Sequence, residues 1–365
     1  MRVGLIGYGA WGRFHARALA GLPGVTLGAI LCHGEASAAA AADFPGVTVL
    51  RDQILGDRDA FLALPLDAVD IVAPNHTHAA YALAALAAGL HVLVEKPLAN
   101  TVADCDRIIA AAGAAGRCVS VGHELRVSTQ WGMIRDEIAA GHIGVPMAAN
   151  YTLFRRPFRG GAGGWRHDPA RVGSWILEEP VHFFDLLLWY FAEHGAPATL
   201  RADATTGVDG LQANLSATVR YASGAFFTVT QILTGFEHHC ALDIGGSAGA
   251  IRAWWSGGDA RITTPTAGLA ILRQGAAAPE TMEFPTSGEI FELTEHLRRS
   301  IAAFPAGGSA MPAGEARRAV LLCLAAEEAC RTGTVIDLAR FELARFELAR
   351  FELARFELVS MGLTA

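Results

Sequence analysis

The sequence predicts an α/β protein: a doubly wound parallel sheet at the N-terminus, then a second α/β unit with mainly antiparallel strands. Three observations carry this expectation. Glycines at 7, 9 and 12 separate an apolar run from an Ala/Leu-rich helical pattern. Short β-branched runs then alternate with helical patterns through residue 121, as in parallel sheets covered by helices. Later stretches, "NLSATVRYASGAFFTVTQIL" and "HHCALDIGGSAGAIRAWW", have the aromatic and β-branched content of antiparallel strands.

The first element is read from "VGLIGYGAWGRFHARAL". Val3 to Ile6 predict a strand, and Gly7, Gly9 and Gly12 complete a G-x-G-x-x-G spacing before a helix. Gly7 permits the tight turn, Gly9 lets backbone approach a diphosphate, and Gly12 lets helix and strand pack closely. The helix N-terminus faces the negative charge. Tyr8, Ala10 and Trp11 lie between these glycines and belong to the same expected dinucleotide site.

Further strands are expected at "VTLGAIL", "VTVL", "AVDIVAP", "HVLVEKP" and "RCVSVGH". Ligands of such sheets collect at the carboxyl ends of the strands. Those ends carry Cys32 and His33, then Ala73, Pro74 and Asn75 with His78, then Glu95 and Lys96, then Gly122 and His123. Lys96 is the only lysine of the chain. An ammonium is compact and its pKa responds to burial, unlike a guanidinium, so its position at a ligand-facing strand end singles it out. The second strand normally ends in an acid that binds the adenosine ribose of NAD. Cys32 and His33 stand there instead, so NAD and NADP both fit, with His33 or Arg13 near a 2′-phosphate.

Bulk properties exclude several classes. The 365 residues suffice for two domains, and the net charge of −7 without a basic patch argues against nucleic acid. No apolar run approaches a membrane span, and glycines interrupt the N-terminus before a secretory signal could form. Six scattered cysteines without a C-x-x-C pair fit a reducing compartment. A cytoplasmic protein with neither membrane nor nucleic-acid partner is expected.

The second half offers acid–base chemistry. In "GSWILEEPVHFFDLLLWYF", Pro180 fits the first turn of a helix, with His182 and Asp185 one turn apart. A neutral histidine accepts a hydroxyl proton near neutral pH, and a neighbouring carboxylate would hold its tautomer. "FRRPFRGGAGGWRHDP" places Arg155, Arg156, Arg159, Trp165, Arg166 and His167 on a Gly-rich loop. Such arginines suit a substrate carboxylate, which favours a sugar acid. His182-x-x-Asp185, "NHTH" and "EHH" match no zinc spacing, so no metal is expected.

Together the motifs resemble the Gfo/Idh/MocA oxidoreductase family. The likeness rests on "GLIGYGAWG", "APNHTHAAYALAALAAGLHVLVEKPLA" and "WRHDPARVGSWILEEPVHFFDLLLWYF", and runs over residues 1–338. It implies a Rossmann domain over residues 1–121 binding NAD or NADP. A substrate and oligomerisation domain over 122–338 would follow, its open, mainly antiparallel sheet serving as substrate floor. A homo-oligomer, dimer or tetramer, is implied. The resemblance also implies that Lys96 is catalytic and contacts substrate, and that Arg126 lies near the site. The family's second motif, G-G-x-L-x-D-x-G-x-H-x-x-D, maps onto Glu178, Pro180, His182 and Asp185. Glu178 is one methylene longer than the family's Asp, and Pro180 restrains backbone that Gly leaves free.

The expected catalytic set is therefore Lys96, His182 and Glu178. Arg126, Trp165, Arg166 and Asp185 join Lys96 and His182 at the substrate. The expected activity is hydride transfer between a nicotinamide and a hydroxyl or carbonyl of a sugar, polyol or sugar acid. A closed redox cycle giving elimination, epimerisation or glycoside cleavage is one alternative. A non-catalytic sugar or dinucleotide sensor is the other.

Residues 339–365 form a tail in which A-R-F-E-L occurs four times from Ala339. A period of five matches neither helix nor strand, and on a helix the phenylalanines advance about 140° per repeat. The tail reads as a tandem duplication without functional role, or alternatively as an assembly element.

Overall fold

The structure, a computed structural model, describes residues 1–34, 36–51, 55–207, 210–345 and 347. Strands β1 (Arg2–Ile6), β2 (Thr26–Cys32), β3 (Thr48–Arg51), β4 (Ala68–Ile71), β5 (His91–Val94) and β6 (Val119–Val121) form one sheet in the order β3-β2-β1-β4-β5-β6. Every pairing in it is parallel. The strand order reverses between β1 and β4, which opens the ligand crevice of a doubly wound sheet. Val3 and Leu5 on one face of β1 and Ile6 on the other are all buried, as expected where helices cover both faces. Gly7 has φ +102°, and a Cβ there would collide with the Val72 carbonyl oxygen. A Cβ on Gly12 would collide with the Gly7 carbonyl in the same way, so neither glycine is replaceable.

The second sheet has nine strands: β7 (Pro146–Phe154), β8 (Thr199–Thr206), β9 (Gln212–Arg220), β10 (Phe226–Ile232), β11 (His238–Gly246), β12 (Ala250–Gly257), β13 (Thr266–Leu272), β14 (Glu280–Thr281) and β15 (Ile336–Asp337). Their order is β14-β13-β12-β11-β7-β10-β9-β8-β15. Only the β7–β10 pair is parallel among the described residues. The sheet is open, with one buried face and one that carries Arg201, Ser216, Arg220, Arg252 and Trp254 towards solvent.

Helix Pro180–Tyr190 packs on the buried face with helix Ala313–Thr332. All of Pro180 to Leu188 and Tyr190 are buried. A helix apolar on every side belongs inside a core. Its two polar members, His182 and Asp185, are therefore carried into the interior.

One helix crosses back. Leu293, Leu297 and Ile301 form an i, i+4, i+8 stripe on helix Glu289–Ala303. With Phe304 they share a core with Val3, Leu5, Ala16 and Leu19 of the first unit. Ser300 Oγ and Ser120 Oγ lie 2.8 Å apart at this junction.

No helix of the described residues is long and apolar enough to cross a membrane. Residues 338–345 are helical, Leu338 is buried, and Phe341 packs against the main core. Arg317 donates to Asp106 and to Glu342, both at 2.5 Å. The first pentapeptide copy is thus docked, through a single phenylalanine and one ion pair. Phe346, Phe351 and Phe356 lie outside the described residues. Truncation after Ala344 keeps the docked copy, so turnover and thermal midpoint are expected to change little. Light scattering checks the alternative, because a drop in oligomeric mass on truncation makes the tail an assembly element.

Candidate active site

The glycine turn leaves Gly9 and Ala10 exposed at its tip, and a Cβ on Gly9 would meet no atom within 4 Å. This clear approach, at the start of helix Gly12–Gly21, fits a diphosphate. Tyr8 beside it is buried and donates to Asp43 Oδ2 at 2.6 Å, under the Arg13 guanidinium 5.3 Å from its ring. Burial and Asp43 push the phenol up to about 12. At the end of β2, Cys32 is buried in the first core whereas His33 is exposed.

Two of the expected dinucleotide residues have their polar atoms turned to protein. Asn75 donates to the Val172 carbonyl at 3.1 Å and to Glu178 Oε2 at 3.2 Å. His78 lies fully buried between the carbonyls of Pro97 (2.7 Å) and Ala73 (2.9 Å). They brace the Ala73–Pro74 loop against the segments that carry Glu178 and Lys96. Trp11 likewise donates its indole N–H to Glu95 Oε1 at 3.0 Å.

Lys96 follows Glu95 at the end of β5, and its peptide bond to Pro97 is cis. Its Nζ donates to the Glu178 carbonyl oxygen at 2.5 Å, immediately before the helix that bears His182. Burial alone would lower the ammonium's pKa. The carboxylates of Glu178, Glu179, Glu95 and Glu124 outweigh it and hold the pKa above the ordinary value.

His182 is 7% exposed. Its Nε2 lies 3.9 Å from Glu124 Oε1, its ring stands edge-on to His123 at 5.7 Å, and Nδ1 has no hydrogen-bond partner among the described residues. Burial, then the charges of Lys96, His123 and His238, hold its pKa well below the ordinary value. The imidazole is neutral and able to accept a proton. Glu124 moves the opposite way: burial and the charges of Glu95 and Glu289 push its carboxyl well above the usual range. An open cavity beside His182 is lined by Glu124, Glu179, His238, Glu289 and Glu292 among others.

Of the six residues expected at the substrate only His182 lines this cavity; Lys96, Arg126, Trp165, Arg166 and Asp185 do not. Asp185 was expected to share a helix face with His182 and hold its tautomer. Instead Arg126 grips it through Nε–Oδ2 and Nη2–Oδ1, both 2.7 Å, and also pairs with Glu315. A guanidinium fork matches a carboxylate better than one imidazole edge does. Glu178 is likewise held by Arg166 (2.5 Å) and by Asn75, so its side chain does not orient His182. Trp165 is buried beside Phe158, Val172 and Trp175, with Arg166 stacked on it at 4.5 Å. Arg155 pairs with Glu179 at 2.7 Å.

Glu124 and Glu289 carry no motif, and nothing in their local sequence marks them. His238, the first residue of β11, reaches the cavity from the nine-stranded sheet. Among the described residues no cluster of three or more His, Cys, Asp or Glu is arranged to hold a metal ion.

Comparison with known proteins identifies the family of both units. Residues 1–123 match the oxidoreductase family with an NAD-binding Rossmann fold, and residues 131–252 match the GFO/IDH/MocA C-terminal domain. A 1,5-anhydro-D-fructose reductase of Ensifer adhaerens is 34% identical over 198 residues, 52% of this chain and 57% of that protein. The chain thus spans little more than half the length of that relative. An inositol 2-dehydrogenase of Acidothermus cellulolyticus is 34% identical over 261 residues, covering 69% of this chain and 72% of the relative. The solved structure of a levoglucosan dehydrogenase in complex with NADH and levoglucosan shares the fold with a TM-score of 0.77. It is 21% identical, and the match covers 93% of this chain and 99% of that one. The chain belongs to the Gfo/Idh/MocA oxidoreductase family, with that family's NAD-binding Rossmann unit and C-terminal domain in one polypeptide.

Proposed function

We propose that the protein is an NAD(P)-dependent dehydrogenase or reductase acting on a secondary alcohol of a neutral sugar or polyol. The observation that carries this reading is a charged Lys96 near enough to depress the pKa of His182, whose Nδ1 has no hydrogen-bond partner among the described residues. Relatives named as inositol dehydrogenase and anhydrofructose reductase support the substrate class.

The glycine turn would hold the diphosphate, and Ala73, Pro74 and the Glu95–Lys96 strand end would flank the nicotinamide. The dinucleotide, when bound, supplies the two-electron acceptor. Lys96 donates a hydrogen bond to the alcohol oxygen and stabilises the negative charge that develops there. His182 takes the hydroxyl proton. Of the arginines near the site, Arg126, Arg155 and Arg166 are each paired with an acid, and Arg156 donates to the Phe236 carbonyl. Fewer unpaired guanidinium groups are then left for a substrate carboxylate, which favours a neutral polyol over a sugar acid. A homo-oligomer would form through the solvent-facing side of the nine-stranded sheet, where Trp254 and Ile232 are partly exposed.

The test is a screen of polyols and their matched acids with NAD and with NADP, following reduced nicotinamide. Neutral polyols should give stoichiometric reduction and outpace the acids. Failure of both dinucleotides to bind overturns the reading. Cofactor preference has its own test. Cys32 is buried, so the exposed His33 is the position from which a side chain meets the ribose. His33→Asp should shift the NAD/NADP ratio of kcat/KM towards NAD by about tenfold or more, by repelling a 2′-phosphate. An unchanged ratio places this strand end away from the ribose.

A further inference from the structure

We propose that His15, held between Asp70 and Glu95, is a positioning residue that fixes Glu95 and thereby frees the Lys96 ammonium for substrate. This rests on the reading of Lys96 given above. His15 sits on helix Gly12–Gly21 at 1% exposure. Its Nδ1 lies 2.7 Å from Asp70 Oδ2 on β4, and its Nε2 lies 3.1 Å from Glu95 Oε1 at the end of β5. Carboxylates only accept, so both ring nitrogens must donate, which makes the ring an imidazolium. Burial opposes that charge, but Asp70 and Glu95 outweigh it and push His15 up to about 10. Glu95 answers with a pKa near 2 in spite of burial, through His15, Lys96 and Trp11. His296 faces the group from helix Glu289–Ala303, and burial keeps it neutral at about 4.

The consequence lies in how the oxygens of Glu95 are occupied. Oε1 accepts from both Trp11 (3.0 Å) and His15, and Oε2 accepts from the backbone N–H of Lys96 (3.2 Å). A Cβ on Gly122 would come within 2.9 Å of Oε1, so the carboxylate fills a closed slot. Glu95 is therefore satisfied without the Lys96 side chain, whose Nζ reaches the Glu178 carbonyl instead. Without His15, Glu95 would hold one buried carboxylate oxygen short of a cation. The nearest cation on the same strand end is Lys96, and an ion pair there would draw its ammonium away from the reacting oxygen.

The experiment compares His15→Ala with the unaltered enzyme at neutral pH. Turnover on a neutral polyol should fall about 10- to 100-fold, as for a misplaced catalytic group. Dinucleotide affinity should stay within about threefold, because the glycine turn is untouched. Added imidazole should restore part of the lost kcat by refilling the cavity. Unchanged kcat overturns the proposal, and so does equal loss of kcat and dinucleotide affinity without rescue by imidazole. Should His15→Ala fail to fold, Asp70→Asn keeps the ring and weakens its charge. An intermediate loss of kcat at unchanged dinucleotide affinity supports the proposal, and full kcat overturns it. Lys96→Met is assayed in parallel. If it is inactive while His15→Ala is fully active, only the positioning role fails; if Lys96→Met is fully active, the reading of Lys96 fails and this proposal with it.

Discussion

Lys96→Arg is expected to lose about 10²- to 10³-fold in kcat while binding dinucleotide as before. The substitution keeps the charge and changes only its shape. The ammonium reaches the Glu178 carbonyl from β5 with the carboxylates of Glu178, Glu179, Glu95 and Glu124 around it. A planar fork placed among four acids would find a bidentate partner in one of them and point away from the alcohol. Steady-state kinetics and a dinucleotide titration by fluorescence separate the two quantities. Near-normal kcat would show that charge alone, not a compact donor, is required at this position.

His182→Ala is the second large effect, with kcat/KM expected to fall about 10²- to 10⁴-fold, the usual contribution of a positioned base. The pH dependence of the unaltered enzyme adds a sign. A base must be unprotonated, and burial with the nearby Lys96 holds His182 well below the ordinary histidine value. The rate should therefore stay level through pH 6.5 and decline only at lower pH, as the folded-state pKa is crossed. An acid limb centred on the ordinary histidine pKa would show that another group carries the proton.

Legibility in the sequence followed distance along the chain. Gly7, Gly9 and Gly12 are read together because one turn contains them, and their steric need is local. The alternation of strand and helix likewise indicates a parallel sheet, and the six parallel strands bear that out. Strand order in the second sheet was not legible: β7 comes first in the chain yet lies in the middle, between β10 and β11. The side-chain network escaped for the same reason. His15 meets Glu95 across 80 positions, and Arg126 meets Asp185 across 59. Spacing on one helix suggested that Asp185 serves His182, but a guanidinium from another element competes successfully for it. An isolated glutamate such as Glu124 gives no pattern at all, and only burial makes it conspicuous.

Helix Glu289–Ala303 changes what counts as a separable piece of this protein. Leu293, Leu297, Ile301 and Phe304 complete the apolar layer over Val3, Leu5 and Leu19, although nearly three hundred positions intervene. A fragment cut after Val121 would carry the whole parallel sheet and still expose part of one of its faces. The nucleotide-binding unit is thus assembled from two separate segments of the chain, with strands β7–β14 of the nine-stranded sheet between them and β15 beyond the second. Grafting this unit onto a different substrate domain requires three joins, after residue 121 and on both sides of the 289–304 segment, since helix Ala313–Thr332 and β15 return to the nine-stranded sheet.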